Sequence, residues 1–300
     1  MGKIAFVFSG QGAQYSGMGK ELYEASPAAK AVFDMADGIR ANTSKQCFEG
    51  STGELCKTVN TQPCVFAADL AAAYAVVEKG IKPDCVAGFS LGEIAALAFS
   101  KMLSDEEAFK LVCKRGELMD KAANENPGAM AAVMKLPAEK IEEICTGFDS
   151  TYPVNYNSPA QTVVATTSGN ADAFCEAVKN AGGRAKLLAV SGAFHSPFMA
   201  QAAKGLEEYM KAVDFSDPQT VIYSDVTAKP YQGDFKALVK AQVESPVRWQ
   251  SIVENMIADG VDTFIEVGVG KTLTGLIKRI NPDVKAFKVE TPADIDALEI

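Results

Sequence analysis

A strand, a tight turn and a helix follow one another between residues 83 and 102. Residues 83–89 have the apolar composition of a buried strand, and residues 91–102 are rich in strong helix formers. This unit is typical of α/β folds with a parallel sheet. The connecting residues GFSLGE, at positions 88–93, match the G-x-S-x-G pattern of a nucleophile elbow, which requires this strand-to-helix context. The same pattern also occurs at ordinary turns, so Ser90 is a candidate nucleophile that needs a base.

The hydrophobic rhythm changes between residues 127 and 191. Strand and helix patterns follow there in the order βαββαβ, which is typical of a ferredoxin-like unit. Alternating strands and helices precede and follow this stretch. We therefore predict a large α/β-hydrolase-like domain with a central, mostly parallel sheet (residues 1–126 and 192–300). A small ferredoxin-like subdomain (residues 127–191) is predicted as an insert.

Composition excludes several classes of function. The chain has 300 residues, 48% of them hydrophobic, and a net charge of −9. That charge disfavours nucleic acid as a partner, because phosphate binding needs a cationic surface. No apolar run reaches membrane-spanning length, and we expect no membrane association. The seven cysteines are widely spaced without a C-x-x-C pair, which favours a reducing, cytoplasmic location over a disulfide framework or a metal site.

The chain contains a single histidine, His195, in the stretch SGAFHSPF. A serine hydroxyl needs a base to become a nucleophile, and only His195 could supply an imidazole. A lone histidine in a loop is more often a structural residue, but its pairing with an elbow serine favours catalysis. Because α/β hydrolases place their histidine near the C-terminal end, whereas 105 residues follow His195, an esterase is not the best fit.

Arg115 lies in the middle of an apolar helical stripe formed by Leu111, Val112, Leu118 and Met119. A core-facing guanidinium needs an anion. An internal carboxylate or a snorkelling side chain would be an ordinary explanation. The alternative is a clamp for a substrate carboxylate, which suits the flat bidentate fork of arginine.

Two glycine-rich loops do not support a nucleotide cofactor. SGQGAQ, at residues 9–14, has Tyr15 where the dinucleotide pattern requires a third glycine. EVGVGKTLTG, at residues 266–275, has Ile265 where a P-loop requires glycine. We therefore expect no bound cofactor and no metal.

The sequence resembles the malonyl-CoA:acyl carrier protein transacylase family. The resemblance runs from about residue 3 to residue 280, and the whole series of motifs carries it. The motifs are GQGAQ at 10–14, GFSLGE at 88–93, Arg115, NSPAQ at 157–161, GAFHSPFM at 192–199, PVRW at 246–249 and EVGVGKTLTG at 266–275.

The resemblance implies a role for each matching residue. Ser90 would carry the malonyl group and His195 would transfer the proton. Gln11 and Leu91 would offer backbone N–H groups to the oxyanion, and Arg115 would bind the malonyl carboxylate. The main-chain carbonyl of Gln242 would orient the imidazole, in place of an acidic third member. The residues expected to line the pocket are Phe89, Met119, Asn157, Phe194 and Phe198.

One position departs from the family pattern. The family usually has histidine before the nucleophile, where this chain has Phe89. The change removes a titratable group from the edge of the pocket, so the pH profile and acyl selectivity of relatives do not carry over. Phe194 before the histidine resembles the malonyl-selective pattern of related domains, which disfavours methylmalonyl.

The resemblance implies malonyl-CoA and phosphopantetheinylated acyl carrier protein as substrates. The expected reaction is a ping-pong transfer that supplies fatty-acid elongation, and a monomer is expected. Alternatives are a thioesterase with water as acceptor, an acyltransferase that serves a polyketide or polyunsaturated-lipid synthase, and a non-catalytic carrier-binding module. Because acyl carrier proteins are acidic, docking requires a local basic patch. The candidates are Arg184, Lys186, Lys271, Lys278 and Arg279, although they could equally be scattered solubilising charges.

Overall fold

The computed structural model describes residues 2–190 and 192–300. The strands of the described chain are β1 (Lys3–Phe8), β2 (Cys85–Gly88), β3 (Gly128–Met134), β4 (Tyr152–Ser158), β5 (Gln161–Thr167), β6 (Arg184–Leu187), β7 (Val221–Tyr223), β8 (Val261–Val267) and β9 (Lys285–Val289).

Helices account for most of the remaining regular structure. They are α1 (Lys20–Ala25), α2 (Pro27–Ile39), α3 (Thr43–Glu49), α4 (Thr52–Leu55), α5 (Thr58–Glu78), α6 (Leu91–Phe99), α7 (Asp105–Glu125), α8 (Ala138–Cys145), α9 (Ala171–Asn180), α10 (Ala200–Met210), α11 (Phe235–Glu244), α12 (Trp249–Ala258), α13 (Thr272–Ile280) and α14 (Pro292–Asp296). A 3₁₀ turn, Pro197–Met199, precedes α10. Within the described residues, no helix is both long and apolar enough to cross a bilayer.

A five-stranded parallel sheet forms the centre of the larger unit, with the strand order β7-β2-β1-β8-β9. Side chains of β1 alternate between its two faces. Phe6 and Phe8 join the core that includes α5, α6 and α7, whereas Ala5 and Val7 join the core that includes α12 and α13. Both faces are therefore covered, which explains why β1 and β2 read as continuous apolar runs.

A separate four-stranded antiparallel sheet has the order β4-β5-β3-β6. Its strands and helices follow in the chain order β3-α8-β4-β5-α9-β6, as the sequence predicts. One face packs against α8 and α9 through a core that includes Val133, Ile141 and Phe174. The opposite face contributes Met130, Ala132 and Val163 to the core of the larger unit.

The predicted α/β class, with a central parallel sheet and a smaller antiparallel one, is confirmed. The edge strand β9 was not predicted, because the lysines of KAFKV mask its apolar residues, and lysine is a common means of blocking an exposed sheet edge. The division into residues 1–126 and 192–300 around an insert of residues 127–191 stays a prediction. Positions 1 and 191 of those predicted ranges lie outside the described residues.

Two glycines allow β2, α6 and the end of β1 to lie in close contact. A Cβ atom on Gly88 would lie 2.0 Å from the carbonyl carbon of Gly92. A Cβ atom on Gly92 would lie 2.3 Å from the carbonyl oxygen of Phe8. These contacts involve backbone atoms, which cannot turn aside as a side chain can. Both glycines of the G-x-S-x-G pattern are therefore required by packing around Ser90.

We predict that Gly92→Ala destabilises the fold by about 1–3 kcal/mol, as expected for overpacking. Gly38→Ala is the matched control, because this helical glycine has open space around its Cβ position. The control should be neutral or stabilising by about 0.5–1 kcal/mol. Urea unfolding of both variants checks the comparison. Equal stability of Gly92→Ala and the wild type would contradict the packing argument.

Candidate active site

Ser90 occupies a strained turn between β2 and α6. Its backbone angles are φ 56° and ψ −103°, a region that residues with a side chain rarely adopt. Such strain persists where the surrounding structure imposes it, and it is frequent at active sites. The turn raises the Ser90 side chain at the start of α6, which begins at Leu91. This is the geometry of a nucleophile elbow.

His195 contacts Ser90 across 105 positions of sequence. Its Nε2 atom lies 2.7 Å from Ser90 Oγ, and its Nδ1 atom lies 2.9 Å from the main-chain oxygen of Gln242. With Nδ1–H donating to that carbonyl, Nε2 is left to accept the serine proton. His195 itself has a positive φ of 59°. The arrangement is a Ser–His pair oriented by a backbone carbonyl.

The imidazole is neutral at physiological pH. Burial, together with the nearby Arg115 charge, lowers the pKa of His195 to about 4. The Gln242 carbonyl opposes this shift by accepting a hydrogen bond. Since a general base must be unprotonated to accept a proton, the site favours the reactive form of the histidine.

Arg115, on α7, is fully buried with neutral hydrogen-bond partners. One terminal nitrogen donates to Gln62 Oε1 at 2.9 Å. The other donates to Gln242 Oε1 at 2.9 Å and to Ser90 Oγ at 3.1 Å. Its Nε atom is buried without an acceptor among the described residues. Burial lowers the pKa of Arg115 to about 10, so the side chain is still cationic at neutral pH. Its bonding leaves the guanidinium able to accept an anionic ligand beside the serine.

Backbone N–H groups at Gln11 and Leu91 are available near the elbow. Leu91 directly follows Ser90, and Gln11 lines the same cavity as Ser90 and His195. Within the described chain, neither amide nitrogen donates to an acceptor. Free amides near a nucleophile can stabilise an oxyanion.

A cavity of about 90 Å³ opens at Ser90. Phe89, Met119 and Phe194 line it. It is joined through Gln11 and Phe89 to an outer cavity of about 230 Å³, and Asn157 lies in that outer part. The small inner volume and apolar walls suit a short acyl group.

Phe198 is not among the residues that line the cavity at Ser90. Its ring lines a different depression together with Asn126, Tyr152 and Gln201, and it packs edge-on against Tyr152. Phe198 follows His195 by three residues, but the 3₁₀ turn Pro197–Met199 carries its side chain away from the serine.

Phe89 packs against Trp249 at the pocket edge, with ring centroids 5.7 Å apart. The residue before the nucleophile therefore makes an apolar contact with the first residue of α12.

The sequence analysis missed several polar residues that surround Ser90. Gln62 is uncharged and accepts a hydrogen bond from Arg115. Asp225 Oδ2 accepts a hydrogen bond from the Ser90 backbone N–H at 2.8 Å. Gln242 Nε2 donates to the Ser90 carbonyl. Glu93 lies one turn along α6 and accepts from the Tyr231 hydroxyl. A glutamate in the otherwise apolar LGEIAALAF was the one visible signal.

Within the described parts of the chain, no cluster of three or more histidine, cysteine or acidic side chains could hold a metal ion. The seven cysteines are free. Of the predicted basic residues, Lys278 directs its ammonium group to the main-chain oxygens of Pro282 and Val284. Arg184, Lys186, Lys271 and Arg279 are exposed.

Comparison with known proteins places the chain in a family. The acyl transferase domain model matches residues 5–291. The malonyl CoA-acyl carrier protein transacylase of Bacillus subtilis (strain 168) is 40% identical over 304 residues, which cover 99% of this chain and 96% of the relative.

Solved structures agree with this assignment. The malonyl CoA-acyl carrier protein transacylase of Clostridium perfringens has a TM-score of 0.94 at 35% identity, covering 98% of this chain and 95% of that one. A malonyl-transacylase in complex with its type II PKS acyl-carrier protein has a TM-score of 0.94 at 35% identity, covering 98% of both chains. The elbow, the cavity and these full-length similarities together establish that the chain is an acyltransferase that belongs to the malonyl CoA-acyl carrier protein transacylase family.

Proposed function

We propose that this enzyme transfers the malonyl group from malonyl-CoA to the phosphopantetheine thiol of acyl carrier protein and so supplies fatty-acid elongation. The observation that carries the proposal is a buried guanidinium 3.1 Å from the nucleophile oxygen, with only neutral hydrogen-bond partners. A buried cation with no directly bonded carboxylate favours an acyl group that ends in a carboxylate.

The first half-reaction loads the enzyme. Ser90 Oγ attacks the thioester carbonyl carbon of malonyl-CoA while His195 Nε2 takes the hydroxyl proton. The amides of Gln11 and Leu91 hold the oxyanion of the tetrahedral intermediate, an interaction worth about 3–4 kcal/mol per donor. The carbon–sulfur bond then breaks, and the coenzyme A thiolate leaves with the proton from His195. The product is a malonyl ester on Ser90.

The second half-reaction reverses these steps with a different thiol. The pantetheine thiol of the carrier gives its proton to His195 and attacks the ester carbonyl carbon. Collapse of the intermediate releases Ser90, which regains the proton. One histidine serves both half-reactions because each requires one proton transfer at the same atom.

Arg115 holds the substrate in the orientation that this chemistry needs. On substrate binding, the guanidinium of Arg115 would give up its hydrogen bonds to Ser90 Oγ and to the two glutamine side chains. It would then donate two parallel hydrogen bonds to the malonyl carboxylate. Releasing Ser90 Oγ also frees the nucleophile when the correct substrate arrives. A neutral acyl group such as acetyl has no carboxylate to accept these hydrogen bonds and should be a poorer substrate.

The carrier would dock at the mouth of the outer cavity, beside exposed basic residues. Lys186 pairs with Ala132 in the antiparallel sheet, and Ala132 lines the outer cavity. Directly paired residues share a face of the sheet, so Lys186 lies beside the mouth. Lys271 immediately precedes Thr272, which lines the same cavity. These charges would attract an acidic carrier despite the net charge of −9.

Intact-mass measurement after brief exposure to malonyl-CoA tests the proposal directly. We expect a malonyl adduct on the wild type, no adduct on Ser90→Ala, and loss of the adduct only when carrier protein is added. Rapid release of free malonate without a carrier would indicate a thioesterase. The absence of any adduct would contradict the acyl-enzyme.

We predict that Arg115→Ala lowers kcat/KM for malonyl transfer by about 100-fold or more, because two charge-assisted hydrogen bonds are lost. Acetyl transfer should change far less, since acetyl has no carboxylate. Steady-state rates with both acyl-CoA substrates measure the difference. Lys114→Ala, at the neighbouring half-buried position where the side chain pairs with Glu117, is the matched control and should affect neither. Equal losses for both acyl groups would disprove the clamp.

The pH profile gives a further prediction. The pKa of His195 is lowered to about 4. The rate of acylation by a neutral ester should therefore be constant above about pH 5 and should fall as the pH drops through about 4. Arg115→Met removes the neighbouring charge, so the pKa of His195 should rise and the acid limb should move to higher pH. A limb that does not move would show that Arg115 exerts no field on the imidazole.

A further inference from the structure

Two acidic side chains lie in contact behind the nucleophile elbow. Glu93 is one turn along α6 from Ser90, and Asp225 follows β7, which pairs with β2. The two side chains are 1% and 0% exposed, respectively. The mechanism proposed above uses neither of them. A buried carboxylate is costly unless every oxygen is paired, so their contacts require an explanation.

Each carboxyl group has one oxygen that is well supplied with donors. Glu93 Oε1 accepts from the Tyr231 hydroxyl and from the Asp225 backbone N–H, the latter at 3.3 Å. Asp225 Oδ2 accepts from the Ser90 backbone N–H at 2.8 Å and from Gln242 Nε2 at 3.2 Å. Asp225 thereby holds the strained backbone of Ser90 directly.

The other oxygen of each carboxyl group is buried without a donor among the described residues. These atoms are Glu93 Oε2 and Asp225 Oδ1. The two carboxyl groups are neighbours, because Glu93 Oε1 already lies 3.3 Å from the Asp225 backbone nitrogen. Two carboxylates cannot both be ionised in such a contact without strong repulsion. A single proton between the two oxygens removes the repulsion and pairs both atoms at once.

Charge balance in the site favours the same arrangement. Arg115 is the buried cation nearest the pair, and both Glu93 and Asp225 favour its charged form. Gln242 separates them, since its Oε1 accepts from Arg115 and its Nε2 donates to Asp225. A carboxyl pair with one negative charge balances the positive charge of Arg115 without bonding to it directly. The guanidinium N–H groups therefore stay available for a ligand.

We propose that Glu93 and Asp225 share one proton and act as a singly charged positioning unit, which holds the Ser90 elbow and balances Arg115 through the Gln242 amide. The proton belongs to Asp225 Oδ1 and is donated to Glu93 Oε2. Burial raises the pKa of Glu93 and raises that of Asp225 well above its usual range. The other ionisable groups that face the pair are Tyr231 and Arg115, with His195 beyond Arg115.

The shared proton makes stability depend on pH in a specific way. The pKa of Asp225 is raised in the folded state, so the folded protein holds a proton that the unfolded chain releases above its ordinary pKa of about 4. The contribution of this proton to stability is therefore complete below that pH and is lost as the pH rises from there to the folded pKa. The Asp225→Asn variant cannot lose this proton, yet its amide can donate to Glu93 and accept from Ser90 in the same places.

Urea unfolding of the whole enzyme between pH 5 and pH 7 tests the proton. The ratio of the wild-type unfolding constant to that of Asp225→Asn should rise with pH, by up to about tenfold per pH unit. The exposed aspartate Asp217 provides the control, since the same ratio for Asp217→Asn should be constant. A constant ratio for Asp225→Asn would overturn the proposal.

A double-mutant cycle tests the sharing. Asp225→Asn and Glu93→Gln each leave one carboxylate and one amide, so each should keep kcat/KM within about threefold of the wild type. The double variant must set two N–H donors against each other, whichever way the amides turn. Its unfolding constant should exceed the product expected from the single variants by about tenfold or more. Additive effects would contradict a shared proton.

Kinetic measurements distinguish a role of Asp225 in positioning Ser90 from a role in stability alone. Asp225→Ala leaves the Ser90 N–H and the Gln242 amide without their acceptor, and should lower kcat by about 10- to 100-fold in protein that is still folded. Asp225→Asn should restore it. Equal kcat values for the alanine and asparagine variants would overturn the positioning role. Only the identity of the ligand at Arg115 rests on the proposed function, and the unfolding experiments use no substrate, so failure of one does not imply failure of the other.

Discussion

The buried guanidinium of Arg115 is the interaction on which the rest of the site depends. A cation with 1% exposure is tolerated only where the surrounding dipoles and charges compensate it. Here the compensation comes from two glutamine amides and a hydroxyl instead of a directly bonded carboxylate. The site thus keeps its strongest anion-binding group available, while more distant acidic groups favour its charge.

Gln242 connects the parts of this arrangement. Its main-chain oxygen orients His195, its side-chain oxygen binds Arg115, and its side-chain nitrogen binds both Asp225 and the Ser90 carbonyl. A single residue on α11 therefore relates the base, the cation and the elbow to one another. Displacement of this side chain would disturb all three together, which makes the site a cooperative unit.

Much of the fold could be predicted because its local patterns agree with its tertiary structure. The βαββαβ rhythm predicted the antiparallel sheet, and the strand before GFSLGE predicted the parallel one. Elements without a strong local pattern were missed, including the lysine-bearing edge strand β9 and the short helices α3 and α4. The direction of the Phe198 side chain, within a 3₁₀ turn, depends on packing that sequence spacing does not reveal.

The amino-acid sequence by itself determined the chemical groups and their local settings: an elbow serine between glycines, a solitary histidine, and an arginine on an apolar stripe. Tertiary structure alone decided that these groups meet, and that Asp225, Gln62 and Tyr231 join them. The physical reason is that strand pairing and helix packing bring together residues more than one hundred positions apart. Periodicity describes which face of an element is buried, but the partner across that face is set by the packing of the whole chain.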